Sequence, residues 1–268
     1  MNEKKTSEER IVYLMKEKRR KQMILFWQIG ILVCFVAAWE IAARVGVIDS
    51  FILSQPSRIW NTCVRMAQNG LLMHIGITVY ETLIGFTLGV VMGTVFAVIL
   101  WWSSFISKIS EPYLVVLNSL PKIALGPVII IIVGAGTEAI IFMALAISLI
   151  VTVLEMLNGF QNTDREYIKM AATFGATKLQ IFKKIVFPYN IKTLFNSLKI
   201  NIGLSLVGVI AGEFLVSKAG LGYLIVYGGQ VFQLDLVMAS VIILAIVAAL
   251  MYEAVVLMQR VVMQWHGH

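Results

Sequence analysis

The sequence predicts an all-α integral membrane protein with six transmembrane helices. Three observations carry that expectation. Of 268 residues, 59% are hydrophobic and only 14% charged, where soluble domains carry about a quarter. The mean hydropathy is +0.85. The apolar residues also fall in blocks of about 20, the length that crosses a bilayer core as helix, rather than being spread as for one large soluble core.

The spans are predicted at Met23–Val45, Gly76–Trp102, Pro112–Val133, Glu138–Asn158, Leu194–Val216 and Leu236–Leu257. Residues 1–22 form a basic tail holding Lys4, Lys5, Arg10, Lys16, Lys18, Arg19, Arg20 and Lys21. The charge runs through Lys21 and no small-residue cleavage site follows the first apolar run, so the tail is not a cleavable signal. With Lys108, Arg260 and the six basic residues between Arg165 and Lys192, sixteen lie on one side of the membrane. Arg58, Arg65 and Lys218 lie on the other. The positive-inside rule then puts both termini in the cytoplasm. The net charge of +7 is accounted for by loops held at an anionic lipid surface and does not call for nucleic acid.

Residues 23–71 comprise the first span and an external segment, and residues 72–262 the core. In the external segment Pro56 breaks the chain and Ser57 can cap a short helix through Met66. Ile59, Trp60, Val64 and Met66 suit an interfacial helix. The first span and this segment read as a peripheral addition to a five-span core.

In the second span Gly85, Gly89, Gly93 and Ala97 recur every four residues, a small-residue stripe that lets helices approach closely. Both intrachain and intersubunit packing are open to it. The third span is interrupted by Pro121 and Pro127 with Gly126 between them. Broken backbone at membrane depth survives only inside protein or beside a watery cavity, so Asn118, Pro121, Lys122 and Pro127 are candidates for a pathway or gate. The alternative is a packing kink with Lys122 reaching for the interface. In the fifth span Ser197, Asn201, Ser205, Gly208 and Gly212 share a face with Glu213 beside it. Asn201, Ser205 and Glu213 are therefore pathway candidates too. Glu213 is either functional or hydrogen-bonded to a neighbouring helix. Glu40 and Arg44 form an intrahelical pair.

No GxxxxGK[ST] phosphate loop is present, and no Ser–His–Asp or HExxH pattern points to catalysis. Cys34 lies in a span and Cys63 outside one, which argues against a disulfide. The histidines His74, His266 and His268 are scattered, and no metal site is expected.

The most informative stretch is DREYIKMAATFGATKLQIFKKIVFP, within the loop 159–193 after the fourth span. Thr163 and Glu166 match a capping box opening a helix through Phe174. Gly175 suits a left-handed stop, and Thr177 can cap a second short helix that ends at Pro188. On that helix Leu179, Phe182 and Val186 take one face and Lys178, Lys183 and Lys184 the other. Ala171, Ala172 and Ala176 surround the bend and let another surface come close. A docking elbow accounts for this pattern better than an ordinary interfacial loop.

The spacing resembles the cytoplasmic "EAA" loop of permease subunits in bacterial ATP-binding-cassette importers: Glu-Ala-Ala, three residues, Gly, nine residues, Ile, one residue, Leu-Pro. Lys169, Met170 and Ala171 fall on the first three places, Gly175 on the glycine, and Ile185, Phe187 and Pro188 on the close. Lys169 replaces the glutamate and Phe187 the leucine. LPKIALGPVIIIIVGAG, AGEFLVSKAGLGYLI and SQPSRIW are similar to the nitrate, sulfonate and taurine branch, in which Arg is expected where Glu81 stands. The resemblance implies a type I ABC importer transmembrane-domain fold in a bacterial plasma membrane. It implies a homodimer served by two cytoplasmic ATPase subunits and an extracytoplasmic solute-binding protein. Coupling would run through Glu166, Lys169, Met170, Ala171, Ala172, Gly175, Ala176 and Pro188. No cofactor is expected on this chain, with ATP and magnesium held by the ATPase. The implied solute is a small anion such as an aliphatic sulfonate, nitrate or taurine, with a vitamin precursor as the alternative. A second class is a secondary transporter or channel working through Glu213 and Glu81; such proteins often carry inverted repeats, and none is visible in the sequence.

Overall fold

The computed structural model describes residues 8–265; Lys4, Lys5, His266 and His268 lie outside the described residues. Five described helices are long and apolar enough to cross a membrane, and one bent pair brings the number to six when its two halves are counted as a single span.

The first helix, α1 (Glu8–Val45), is unbroken over 38 residues, so the predicted tail is helical from Glu8 onward. Lys21 pairs with Glu17 at 2.7 Å within it. None of the residues in its most apolar window is buried. Its anchor is near its end, where Glu40 accepts from Arg44 Nε at 2.7 Å. The same carboxylate accepts the N–H and the hydroxyl of Ser57 at 3.0 Å each. Ser57 therefore does not cap the second helix, α2 (Pro56–Gln68). Pro56 opens that helix where a missing N–H is harmless, and Glu40 supplies the negative charge at its N-terminus.

Helix α2 is part of the core, which corrects the expected peripheral segment to α1 alone. Its Ile59 and Met66 are buried among Leu221, Leu224, Ala239 and Ile243, while Trp60 and Val64 remain exposed. Asp235 fastens it by accepting from Ser54 Oγ at 2.6 Å and Arg58 Nη2 at 2.7 Å.

The centre is a three-helix stack of α3 (Leu71–Trp102), α6 (Thr137–Gln161) and α10 (Ile191–Val216). The glycine stripe of α3 packs on α6 of the same chain. A Cβ on Gly85 would stand 2.5 Å from that of Ala144, and one on Gly93 would stand 2.9 Å from the Leu149 carbonyl. Gly208 and Gly212 of α10 press on Ala144 and Ile140 of α6. Ser148 and Thr152, facing the stripe, donate to carbonyls of their own helix at 3.0 and 2.8 Å. Close backbone approach thus leaves those hydroxyls satisfied. Helices α11 (Leu221–Gln230) and α12 (Leu234–Trp265) close the bundle beside α2.

The predicted third span consists of α4 (Ser104–Ser119), a 3₁₀ turn (Lys122–Leu125) and α5 (Gly126–Val133), bent by 83°. It begins eight residues before the predicted Pro112, which lies inside α4. At the break Ser119 Oγ donates to the Val115 carbonyl and Lys122 Nζ to the Asn118 carbonyl, both at 2.9 Å. Side chains thus satisfy backbone acceptors where the helix stops.

Candidate functional site

The loop between α6 and α10 folds as an elbow. Its first limb, α7 (Arg165–Thr173), is capped by Asp164, whose carboxylate accepts the Glu166 N–H at 2.8 Å. The predicted cap, Thr163, is instead buried and accepts from Asn190 Nδ2 at 2.8 Å. Gly175 makes the bend at φ +76°, a conformation that costs L-residues with a Cβ roughly 1–2 kcal/mol. Nothing lies within 4 Å of where its Cβ would be, so the backbone, not crowding, selects glycine.

The second limb starts at Thr177, which forms a complete capping box with Gln180. It runs through α8 (Lys178–Ile181), a π-turn (Phe182–Val186) and α9 (Phe187–Tyr189). Pro188 does not end it; the limb stops at Asn190. There the Asn190 amide donates to both Thr163 Oγ1 and the Val186 carbonyl at 2.8 and 2.9 Å, tying the two feet of the elbow together.

The face turned to the bundle carries Ile181, Phe182 and Val186, while Leu179 is exposed. The predicted apolar face is thus rotated, because the π-turn adds a residue to the winding. Phe182 meets Trp101, Phe160 and Phe187 at centroid distances of 5.1, 5.5 and 6.0 Å. Lys178 donates to the Trp102 carbonyl at 2.5 Å and lies over the rings of Trp101 and Trp102. The second limb is therefore bolted to the ends of α3 and α6.

The outward side of the elbow is uncovered. Tyr167, Met170 and Phe174 are exposed, Phe174 to 84%. A hollow of about 330 Å³ lies at the bend between Ala171, Phe174, Gly175, Ala176, Gln180 and Lys184. Glu166, Lys169, Ala172 and Pro188 are exposed, and Ala171 and Ala176 half-buried. The elbow is thus packed on the bundle through its second limb and leaves an open hollow of mixed polar and apolar lining.

The pathway candidates separate into two sets. Asn118, Pro121 and Pro127 are exposed and Lys122 half-buried. Asn201, Ser205 and Glu213 are buried inside the chain. Asn201 donates to the Ser197 hydroxyl and carbonyl at 3.0 Å. Glu213 accepts from Thr78 Oγ1 at 2.6 Å and from the Gly222 N–H at 2.5 Å, at the N-terminus of α11. Thr78 in turn accepts the Leu221 N–H at 2.8 Å. Gly220 passes over this carboxylate at φ +115°, where a Cβ would overlap it. Glu213 thus joins α3, α10 and α11 at the end of the bundle away from the elbow. Thr78→Val removes one donor to Glu213 and one acceptor for Leu221. It is expected to destabilise the protein by about 1–3 kcal/mol, read as a lower thermal midpoint in detergent.

Several of these partners are not readable from the sequence. Thr78, Asn190 and Trp101 are ordinary residues of apolar or loop segments, and only contacts between distant parts of the chain give them a role.

The chain is a bundle of long apolar helices with an uncovered elbow at one end. The class is that of a membrane subunit in a transport assembly. The chain belongs to the family of binding-protein-dependent transport system inner membrane components, whose model matches residues 85–265. It is 26% identical to a probable ABC transporter permease protein of Haemophilus influenzae, over 81% of this chain and 88% of that one. It is 25% identical to the formylaminopyrimidine transport permease protein ThiX of Halalkalibacterium halodurans, over 85% and 90%. It is 24% identical to the putative aliphatic sulfonates transport permease protein SsuC of Bacillus subtilis, over 90% and 88%. In fold it is similar to an inward-facing MetNI methionine ABC transporter structure. That match has a TM-score of 0.65 at 20% identity and covers 72% of this chain and 95% of the other.

Proposed function

We propose that this ABC importer permease couples to a separate cytoplasmic ATPase through the elbow, with both termini and the elbow on the cytoplasmic side. The observation that carries this reading is the elbow itself: bolted to α3 and α6 by Phe182 and Lys178, yet open to 84% at Phe174. A push on the hollow reaches the spans without being absorbed by the loop. Glu166, Lys169, Met170, Ala171, Ala172, Gly175, Ala176 and Pro188 form or border the contact.

A second copy of the chain completes the pathway. Pro121 and the turn Lys122–Leu125 are broken backbone with Leu120, Ile123 and Leu125 exposed in the single chain. Such backbone does not face lipid, so a partner copy or a water-filled path covers it. A solute-binding protein delivers the solute from outside. The solute is a small anion of the sulfonate type. A vitamin precursor is the second reading, favoured by the match to the formylaminopyrimidine permease. A ligand screen on the partner binding protein separates the two.

The coupling test is crosslinking from Phe174→Cys in a chain with Cys34 and Cys63 replaced by Ser. The native thiols are removed so that Phe174→Cys is the one reactive position: Cys34 is exposed and Cys63 is half-buried. A crosslink to a nucleotide-hydrolysing subunit is the expected result. Labelling of Phe174→Cys from outside intact cells, or solute uptake by the purified chain alone, would refute the reading.

A further inference from the structure

Glu81 lies on α3 one turn beyond Thr78. It is 0% exposed, and neither of its carboxyl oxygens has a hydrogen-bond partner among the described residues. Its polar neighbours are Thr137 at the start of α6 and the carboxyl group of Glu213. Glu213 is already provided for, by the Thr78 hydroxyl, the Gly222 N–H and the dipole of α11. The Thr78 hydroxyl has only one proton and it is committed to Glu213. Thr137 offers Glu81 at most one hydroxyl proton, and a carboxylate beside a second one is strongly disfavoured away from water.

Glu81 also lines a pocket of about 470 Å³ at the end of the bundle away from the elbow. Tyr80, Gly136, Thr137, Ser217 and Lys218 share its wall. We propose that Glu81 is the binding site for one positive charge, a proton or an alkali cation, admitted through this pocket. Seated between Glu81 and Glu213, that charge ties α3 to α10 at the head of α6. The shared chemistry is a single cation at a buried carboxylate, and the two sources are told apart below. The inference concerns the chain by itself and does not depend on the elbow's partner.

Other titratable groups surround the position. Lys218 is exposed on the rim, Tyr80 is on the same helix, and Glu138 in the first turn of α6 is exposed. On α11, Tyr223 stacks at 6.2 Å on His74 of α3. His74 Nδ1 accepts the Gly220 N–H at 3.0 Å, so protonating His74 would also disturb this region. Substitution at Glu81 separates its response from theirs.

The test is the thermal unfolding midpoint of the purified full chain in lipid nanodiscs. One series exchanges sodium chloride for choline chloride at constant ionic strength; the other runs from mildly acidic to alkaline pH. The wild type is expected to gain midpoint with sodium, which assigns an alkali cation, or with acidity, which assigns a proton. Glu81→Gln is expected to flatten whichever response is found. Glu81→Arg supplies a permanent charge opposite Glu213 and is expected to unfold no lower than the saturated wild type, with no response, which keeps the test decisive if the Gln variant folds poorly. A flat wild type in both series overturns the proposal, as does a response that survives in Glu81→Gln. Loss of the response in Lys218→Gln would also overturn it, because the chain would then supply its own cation.

Discussion

Gly175→Val is expected to cut solute uptake about tenfold or more while the chain still reaches the membrane in normal amount. The bend holds φ at +76°, where a β-branched residue is disfavoured by more than the roughly 1–2 kcal/mol typical of residues with a Cβ. A shift of about 1.4 kcal/mol in the population of the bent elbow is already tenfold. The effect falls on coupling because the second limb has its own anchors at Trp101, Trp102 and Phe160 and does not need the bend to stay packed. Hydrolysis by the partner ATPase should continue while uptake is lost. Gly175→Asn separates strain from bulk. Asparagine tolerates the left-handed conformation better than most residues, and the space around Gly175 is open. Retained uptake with Asn assigns the defect to the backbone. Loss with both assigns it to a surface seated against the bend. Wild-type uptake with both would remove the elbow from the mechanism.

Gly93→Leu should prevent the protein from accumulating at all. A Cβ there would stand 2.9 Å from the Leu149 carbonyl and 2.7 Å from Thr152 Cβ, and backbone cannot step aside as a flexible side chain can. Overpacking costs about 1–3 kcal/mol per site where relaxation is possible, out of a total stability of about 5–15 kcal/mol. A leucine forced between two helix axes exceeds what this seam can relax. The milder Gly89→Ala, whose Cβ would meet the Ser148 side chain, should lower the thermal midpoint measurably. Adding Ser148→Gly should restore part of it, since it removes the two closest atoms, Ser148 Oγ and Cβ. Absence of any rescue would mean that the two helices are separable and that the stripe serves another surface.

Much of the membrane architecture is legible in the residues. The spans starting near Gly76, Glu138, Leu194 and Leu236 appear within five residues of their predicted starts, because long apolar blocks leave helix as the only option in lipid. The left-handed stop at Gly175 and the cap at Thr177 were also legible, since both depend on local backbone chemistry. The misread positions share one cause. Thr163 has the residue type of a cap, yet its hydroxyl is taken by Asn190, 27 residues away. Leu179 has the spacing of a buried face, but the π-turn rotates the limb so that Ile181 is buried instead. Ser57 was claimed by Glu40 from another helix.

The sequence by itself determined the class of molecule, the number of spans, the broken third span and the bend of the elbow, because each follows from composition or from neighbours a few residues apart. The tertiary structure alone decided which helix the glycine stripe faces and what holds the elbow's second limb. It also decided that Glu213 is partnered and Glu81 is not. Those outcomes depend on contacts between residues far apart in the chain, such as Thr78 with Glu213 and Lys178 with Trp102, and no local pattern encodes which distant group will occupy the space beside a side chain.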